Sequence, residues 1–343
     1  MSNLSRRSFI AGSGAAAMAL AACANQNASS QSASSAAGDS AAAAATKITF
    51  CLDYTPNTNH TGVYVAQSKG YFAEEGLEVE IVQPAEDSAE ALIGAGRAQL
   101  GVSYQDYIAS SYTSGNTGLT AVAAIVQHNT SGIMSRKADG ITRPAAMENH
   151  SYATWDLPVE QATVKQIVEK DGGDFSKIKL VPYTVDDDVA GLKTNMFDAV
   201  WVYEGWAVQN AKVQNVDVNY FSFISIDEVF DYYTPVIAAN NDFCKENPDA
   251  VRAFLRACKR GYEYAIANAE DAAKILCEAV PELDAALVSA SQAFLADQYQ
   301  AEAKSWGEID KDRWAAFFTW LNENKLVEGE LDVNAGWTME YLQ

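Results

Sequence analysis

An alternation of strand-like and helix-like segments constrains the fold of this chain more than any other feature of its sequence. Strand and helix patterns alternate, in that order, along residues 48–52, 63–69, 77–82, 89–94 and 100–103. This β-α-β-α-β order predicts a largely parallel sheet inside an α/β fold, because parallel strands need crossover connections. Ligands of such sheets bind at the carboxyl ends of the strands. The rule places the loop from Asp53 to Gly62, and the loop that begins at Ser103, at a predicted binding mouth.

The length of 343 residues favours two lobes rather than one. A break at Gly140 predicts a crossover into a second unit, and a strand-like run over residues 234–240 predicts the return. We therefore predict that residues 47–140 and 236–343 form lobe I and that residues 141–235 form lobe II. Two crossovers between two lobes predict a cleft with a hinge.

Charge and composition exclude several classes of function. Lys plus Arg total 24 and Asp plus Glu total 45, and the resulting net charge of −21 repels nucleic-acid phosphates. Apolar residues make up 48% of the chain, which is enough for a core. No stretch after the N-terminus is apolar enough to span a bilayer.

The five cysteines and three histidines predict no metal site, because no Cys-x-x-Cys pair occurs and the histidines are scattered. We interpret four of the cysteines as buried structural thiols, with a disulfide among them as the alternative. These four are Cys51, Cys244, Cys258 and Cys277.

The N-terminus has the pattern of an export signal. A basic pair, Arg6 and Arg7, precedes a mildly apolar run, which predicts a signal peptide over residues 1–22 that resembles the twin-arginine type. The run ends in Leu-Ala-Ala before Cys23, which resembles a bacterial lipobox and predicts lipidation of Cys23; the alternative is an ordinary signal with a coincidental cysteine. Residues 23–46 are poor in apolar side chains and predict a flexible tether. We expect an extracytoplasmic protein anchored to the bacterial membrane by this lipid.

Several motifs carry a resemblance to a known family. They are LDYTPNTNHTG over residues 52–62, KGYF over 69–72 with EGL over 75–77, GVSYQ over 101–105, KDGGDF over 170–175 and WVYEG over 201–205. Across residues 47–342 the chain resembles periplasmic binding proteins of the thiamine-pyrimidine type, which are related to thiamine-pyrimidine synthases and to alkanesulfonate-binding proteins. The motif that begins at Leu52 is the most specific of these. The KGYF and EGL motifs occur in many binding proteins of this fold.

The resemblance implies a fold, partners and a ligand. The fold is that of a type II periplasmic binding protein, with two lobes, a hinge and a cleft between the lobes. The partners are the permease and ATPase subunits of an ABC importer, and the protein itself is expected to be a monomer without a cofactor. The ligand is formylaminomethyl-pyrimidine, a thiamine precursor used in salvage.

An aminopyrimidine offers a flat π surface and an edge with a ring nitrogen beside an NH2 group, so its receptor needs an aromatic side chain and a carboxylate or amide. Glu160 is included because the family resemblance places a helix start of the second lobe near the ligand. In the closest family pattern, Trp stands where this chain has Tyr54. The predicted ligand-binding residues are Asp53, Tyr54, Asn57, His60, Tyr104, Glu160, Trp201, Tyr203 and Glu204.

Structural roles remain open for several of these residues. Asp53 can instead cap the following helix, His60 can orient its own loop, and strand aromatics such as Trp201 are often core residues. Glu204 follows an aromatic residue and is separated from the next one by a glycine. A carboxylate among aromatic residues is harder to explain as a solvated charge.

Two rival functions are weighed against a thiamine-pyrimidine receptor. The related synthases use a Schiff-base lysine, a donor histidine and a cysteine-rich iron motif; here Ser103 and Tyr107 stand at the first two positions, and no cysteine cluster occurs. We therefore predict a receptor rather than an enzyme. A receptor for a sulfonate or nitrate would need donors such as Arg, whereas the mouth offers Asp53 and Glu204. A receptor for another small aza-heterocycle stays open.

Overall fold

The computed structural model describes residues 45–84, 87–185 and 187–342. The chain divides into two units, Met1–Ala42 and Ala43–Gln343, and all described residues belong to the second. The predicted signal peptide, the lipidation at Cys23 and most of the predicted tether over residues 23–46 lie outside the described residues and stay predictions. The tether prediction extends one residue too far, because β1 begins at Thr46.

Strands and helices alternate along most of the described chain. The first stretch contains β1 (Thr46–Cys51), α1 (Thr61–Ser68), α2 (Tyr71–Glu74), β2 (Leu77–Val82), α3 (Ala89–Gly94), β3 (Leu100–Ser103), α4 (Gln105–Thr113) and β4 (Leu119–Ala124). The second contains β5 (Ser131–Arg136), β6 (Ser151–Thr154), α5 (Pro158–Lys170), β7 (Lys179–Pro182), α6 (Asp188–Lys193), β8 (Ala199–Tyr203), α7 (Gln209–Val213) and β9 (Val218–Ser222). The third contains β10 (Val236–Asn240), α8 (Asn241–Glu246), α9 (Pro248–Ala267), α10 (Ala269–Ala279), α11 (Ala285–Leu295) and α12 (Lys311–Glu323).

Two mixed sheets of five strands form the two lobes. The first has the order β2-β1-β3-β10-β4, and the second has the order β7-β6-β8-β5-β9. β1 is parallel to β2 and β3, as the sequence order predicts, whereas β10 returns antiparallel between β3 and β4. β3 and β10 are buried along their whole length, which agrees with their inner positions in the sheet.

The boundary predicted at residue 140 is corrected by the pairing of β5. Ser131–Arg136 pairs with β8 and β9 of the second sheet, so the chain crosses between the lobes over residues 125–130. It returns over residues 223–235, close to the predicted return. The apolar run Ile133–Ser135 was assigned to lobe I because a continuous buried strand carries no mark of the sheet it joins.

The first lobe is built around a close contact of α1 and α9. Gly62 faces the ring of Tyr262, where an added Cβ would lie 2.3 Å from ring carbons, and Gly261 packs against the carbonyl oxygen of Gly62. α9 begins with Pro248, a residue suited to the first helical turn because its missing N–H has no partner there. The absence of side chains at Gly62 and Gly261 lets the two helix backbones approach each other.

All four cysteines of the described residues are free thiols. Cys51, Cys244 and Cys258 are buried as expected, and Cys277 is partly exposed. Burial raises the pKa of the Cys51 and Cys244 thiols to about 11. Within the described ranges, no helix has the length and hydropathy that a bilayer crossing requires.

α12 contacts both lobes. The side-chain amide of Gln105 in α4 donates to the carbonyl of Trp314 at 2.8 Å, and the Trp320 indole donates to Gln166 of α5 at 2.6 Å. The N-cap of α12 is Asp310, whose carboxylate accepts from the backbone N–H of Arg313 at 2.8 Å. The C-terminal helix is therefore a bridge across the lobes rather than part of lobe I alone.

Candidate ligand-binding site

Asp53, His60 and Tyr104 form one hydrogen-bonded group at the carboxyl ends of β1 and β3. Asp53 follows β1, and its carboxylate accepts from Nε2 of His60 at 2.7 Å and from the hydroxyl of Tyr104. Nδ1 of His60 accepts the backbone N–H of Asn57 at 3.1 Å, which assigns the imidazole proton to Nε2. The structure thus brings four predicted site residues together, and Asn57 takes part through its backbone N–H.

The electrostatics of this group favour an ionised Asp53. Burial opposes ionisation, but the interactions with His60 and the Tyr104 hydroxyl outweigh it, and the pKa of Asp53 is lowered. Burial and the neighbouring Asp53 charge raise the pKa of Tyr104, which stays a donor. A charged acceptor is therefore held rigidly at the end of β1.

The loop over residues 54–60 is anchored from the C-terminal part of the chain. The Asn57 side chain accepts from the Asn59 N–H at 2.9 Å and caps a 3-10 turn, Thr58–His60. Tyr262 donates to the carbonyl of Asn59 at 2.7 Å, and Tyr299 donates to that of Thr58 at 2.6 Å. Tyr54 is 67% exposed and leaves its ring free at the mouth.

Glu160 is occupied by hydrogen bonds within lobe II. Its carboxylate accepts from the hydroxyls of Tyr152 and Thr154 at 2.6 and 3.0 Å, and from the backbone N–H groups of Trp155 and Leu157 at 3.1 and 3.3 Å. The side chain is nearly inaccessible, and it accepts the backbone N–H of Leu157, the N-cap residue of α5. The role that the geometry gives Glu160 is to fix the loop that carries Trp155.

Trp155 is the exposed aromatic of this lobe. It is 40% exposed, with its ring 5.8 Å from Tyr183 and 5.9 Å from Trp201. Trp201 is 5% exposed and packs edge-on against Phe223 at 4.2 Å. Of the two tryptophans, Trp155 is therefore the one whose ring is exposed enough to contact a stacked ligand, and Trp201 packs against it from the protein interior.

Tyr203 is the last residue of β8, and Glu204 follows it. Tyr203 is half-buried and lies within electrostatic reach of Asp106 and Asp53, and its burial raises the pKa of its hydroxyl. The backbone N–H of Glu204 donates to the Thr130 carbonyl at 2.9 Å, and a π-helical turn, Glu204–Val208, follows. Burial raises the pKa of Glu204, and its carboxylate accepts no hydrogen bond from any described residue. An unpaired, partly buried acceptor is thus available beside the cleft.

Two carboxylates at this mouth were missed by the sequence analysis. Glu90, at the start of α3, is 5% exposed and accepts from the Ser103 hydroxyl at 2.8 Å. Asp106 lies in the first turn of α4, where burial, reinforced by the charge of Glu90, raises its pKa to about 7. The signal was present, because the loop after Ser103 was placed at the mouth, but only Tyr104 was selected from it.

Together, Asp53, Glu90 and Asp106 make an acidic floor at the ends of β1 and β3. In the described part of the chain, no lysine or arginine forms an ion pair with any of the three. Aromatic rings line the same region, and Tyr107 stands 5.4 Å from Tyr104 and is 44% exposed. Such an arrangement can accept hydrogen bonds from amino groups or bind a cation, and it repels anions.

Comparison with known proteins gives a family match and relatives of two kinds. The profile of the family described as NMT1/THI5 like matches residues 57–272. The formylaminopyrimidine-binding protein of Halalkalibacterium halodurans is 26% identical over 290 residues, which cover 83% of this chain and 87% of the relative. A 4-amino-5-hydroxymethyl-2-methylpyrimidine phosphate synthase of Legionella pneumophila is 22% identical over 325 residues, covering 87% of this chain and 92% of the relative.

Solved structures confirm the fold. The periplasmic aliphatic sulphonate binding protein SsuA of Escherichia coli superposes with a TM-score of 0.68 at 14% identity, over 87% of this chain and 99% of that chain. The periplasmic nitrate-binding protein NrtA of Synechocystis PCC 6803 superposes with a TM-score of 0.63 at 16% identity, over 87% of both chains. The predicted two-lobed α/β fold of a periplasmic binding protein is thereby confirmed, while identities this low say nothing about the ligand.

Proposed function

We propose that this chain, which belongs to the NMT1/THI5-like family, is the substrate-binding protein of an ABC importer and that it binds an aminopyrimidine of the formylaminopyrimidine type. The observation that carries the proposal is the acidic floor of Asp53, Glu90 and Asp106 in the cleft of a binding-protein fold. The relative named as a formylaminopyrimidine-binding protein supports the same ligand class. The protein acts outside the membrane, held by a lipid on Cys23, and delivers its ligand as a monomer to permease and ATPase subunits.

The chemistry of the floor suits the edge of an aminopyrimidine. Its exocyclic NH2 donates hydrogen bonds, and its ring nitrogen accepts or shares a proton. Asp53 supplies a fixed carboxylate, while Asp106, with a pKa of about 7, can hold or release a proton near neutral pH. The exposed face of Trp155 supplies a ring for stacking, worth about 0.5–1.5 kcal/mol beyond buried area.

A sulfonate or nitrate ligand is disfavoured by charge. An anion placed about 4 Å from one carboxylate meets a repulsion of about 4 kcal/mol at an effective dielectric constant of about 20. That cost alone would weaken binding about a thousandfold. The likeness to sulphonate- and nitrate-binding proteins therefore extends to the fold, and the floor argues for a different ligand.

A synthase activity is disfavoured by the residues at Ser103 and Tyr107. The family resemblance places the Schiff-base lysine of the synthases at Ser103 and their donor histidine at Tyr107. A serine hydroxyl bonded to Glu90 at 2.8 Å cannot form a Schiff base. Relatives named as synthases share the fold, and we infer a receptor without a cofactor for this chain.

Isothermal titration calorimetry of residues 24–343 tests the ligand. Formylaminomethyl-pyrimidine, its deformylated amine, thiamine and taurine are titrated separately. We expect both pyrimidines to bind and taurine to give no heat. Asp87→Asn is the matched control for substitutions of Asp53 and Asp106, because Asp87 is exposed and, among the described residues, its ion pair is with Arg97 at 2.6 Å. Taurine binding with silent pyrimidines would overturn the ligand assignment and leave the binding-protein fold untouched.

A further inference from the structure

The two crossovers between the lobes are joined by a histidine outside the ligand site. His128 lies in the crossover of residues 125–130, and its Nδ1 is 2.7 Å from Oδ2 of Asp231 in the crossover of residues 223–235. On its other side, Nε2 is 2.8 Å from a carboxylate oxygen of Glu302, in the segment between α11 and α12. Each ring nitrogen therefore faces a carboxylate.

Counting protons defines the charge of this histidine. A carboxylate accepts hydrogen bonds, so each nitrogen of His128 must carry a proton to bond its neighbour. A neutral imidazole has one N–H and would turn a lone pair toward one of the two carboxylates. Only the imidazolium satisfies both contacts in this geometry, whatever the tautomer of the neutral form.

The surroundings of His128 contain one further cation. The Arg313 guanidinium of α12 lies 3.5 Å from Asp231 and 3.7 Å from Glu302, and it also donates to the carbonyl of Gln127. Asp231 accepts the backbone N–H of Asn129 at 3.1 Å. Two carboxylates thus meet one permanent cation and one titratable cation, so the cluster is balanced only when His128 is protonated.

We propose that protonated His128 is a positioning residue that ties the two crossovers to each other and to the C-terminal segment, so that movement between the lobes depends on pH. The crossovers are the places where a two-lobed receptor bends. A neutral His128 keeps one N–H. We expect it to keep the bond to Asp231, which is 18% exposed, and to lose the bond to Glu302, whose side chain is 68% exposed. The crossovers are then no longer tied through His128 to the segment between α11 and α12, and the hinge bends more freely.

The direction of the pH effect follows from the neighbours. The hydrogen bond to Asp231, aided by that to Glu302, raises the pKa of His128 against the opposing effects of burial and Arg313. Since the pKa in the folded state is raised, the contact is complete below the ordinary histidine pKa of about 6.5. It is lost as the pH rises through the raised value.

Distances between the lobes measured without ligand test this proposal independently of the ligand assignment. Spin labels are attached to Lys47→Cys and Lys179→Cys, one exposed position in each sheet, in a Cys277→Ser background. Pulsed dipolar spectroscopy of residues 24–343 is recorded at about pH 5.5 and about pH 8.5, on either side of the histidine range. We expect a narrow distance distribution at the low pH and a broader or shifted one at the high pH.

Variants separate the hinge from other titrating groups. His128→Asn should give the broad distribution at both pH values, and Glu302→Gln should reduce the difference between them. His150→Asn is the matched control, because His150 is a partly exposed histidine 3.6 Å from Asp198 in lobe II, away from the crossovers. Identical distributions at both pH values in the wild type, or a pH effect retained in His128→Asn, would overturn the proposal.

A titration of the intact protein provides a second readout that needs no variant to fold. The chain has three histidines, so the imidazole ¹⁵N signals can be resolved by nuclear magnetic resonance. We expect His128 to have both nitrogens protonated at about pH 6, below the ordinary histidine pKa. One unprotonated nitrogen in His128 at about pH 6, below the ordinary range, would contradict the imidazolium on which the proposal depends.

Discussion

Replacement of Glu160 separates a structural role from a role in ligand contact. The sequence analysis placed this carboxylate at the ligand, whereas in the structure it accepts hydrogen bonds from two hydroxyls and two backbone N–H groups of its own lobe. A residue that holds its own loop together should affect the free energy of unfolding. A residue that only contacts ligand should not.

The magnitude follows from the partners that each substitution leaves. Glu160→Gln can turn its NH2 toward the rotatable Tyr152 hydroxyl and keep its carbonyl on the Trp155 and Leu157 N–H groups. The remaining bonds become neutral rather than charge-assisted, a loss of about 1 kcal/mol each that relief of a buried charge partly offsets, for a net loss of about 2 kcal/mol. Glu160→Ala leaves all four donors without an acceptor, and we expect a loss of about 4 kcal/mol.

Urea denaturation without ligand, followed by tryptophan fluorescence, measures both losses. Glu169→Gln is the control, because Glu169 is on the same helix, is exposed and, within the described part of the chain, has its ion pair with Lys165 at 3.9 Å. We expect this control to stay within about 0.5 kcal/mol of the wild type. If both Glu160 variants kept the wild-type free energy of unfolding while pyrimidine affinity fell, the loop-fixing role would be refuted and the ligand contact restored.

Three further predictions concern the floor and the core. Asp53→Asn should weaken pyrimidine binding at least about tenfold, or about 1.4 kcal/mol, by calorimetry, because it removes the fixed charge; unchanged affinity would remove Asp53 from the site. In the wild type, affinity for the pyrimidine should rise with pH through about 7 as Asp106 ionises, and Asp106→Asn should flatten that rise; a rise retained in the variant would assign it elsewhere. Gly62→Ala should lower the free energy of unfolding by about 1–3 kcal/mol, since its Cβ would enter the ring of Tyr262.

The sequence predicted the first sheet well because its strands obey a local pattern. β2 and β3 were predicted over the residues that the structure shows. β6 and β9 were missed, since β6 has four residues and the burial of β9 does not alternate cleanly. The sheet joined by β5 could not be read from its residues, because that choice is made by pairing with β8 and β9 far along the chain.

The site was predicted where sequence position determines geometry and missed where it does not. The rule that ligands bind at strand ends selected Asp53, His60 and Tyr104, and the structure joins these three residues by hydrogen bonds. The same rule gave no reason to prefer Tyr104 over Asp106 in its loop. Ligand contact by the predicted site residues stays a prediction, and the burial of Trp201 beside the exposed Trp155 depends on packing that residue type alone does not encode.

Two histidine–carboxylate pairs in this protein show why contacts, rather than residue types, decide the response to pH. His60 and His128 each lie 2.7 Å from an aspartate oxygen. The other nitrogen of His60 accepts a backbone N–H, so one proton satisfies both sides of its ring. The other nitrogen of His128 faces Glu302, so the ring needs two protons. One imidazole proton is therefore enough for both contacts of His60, whereas His128 loses a contact when its second proton leaves.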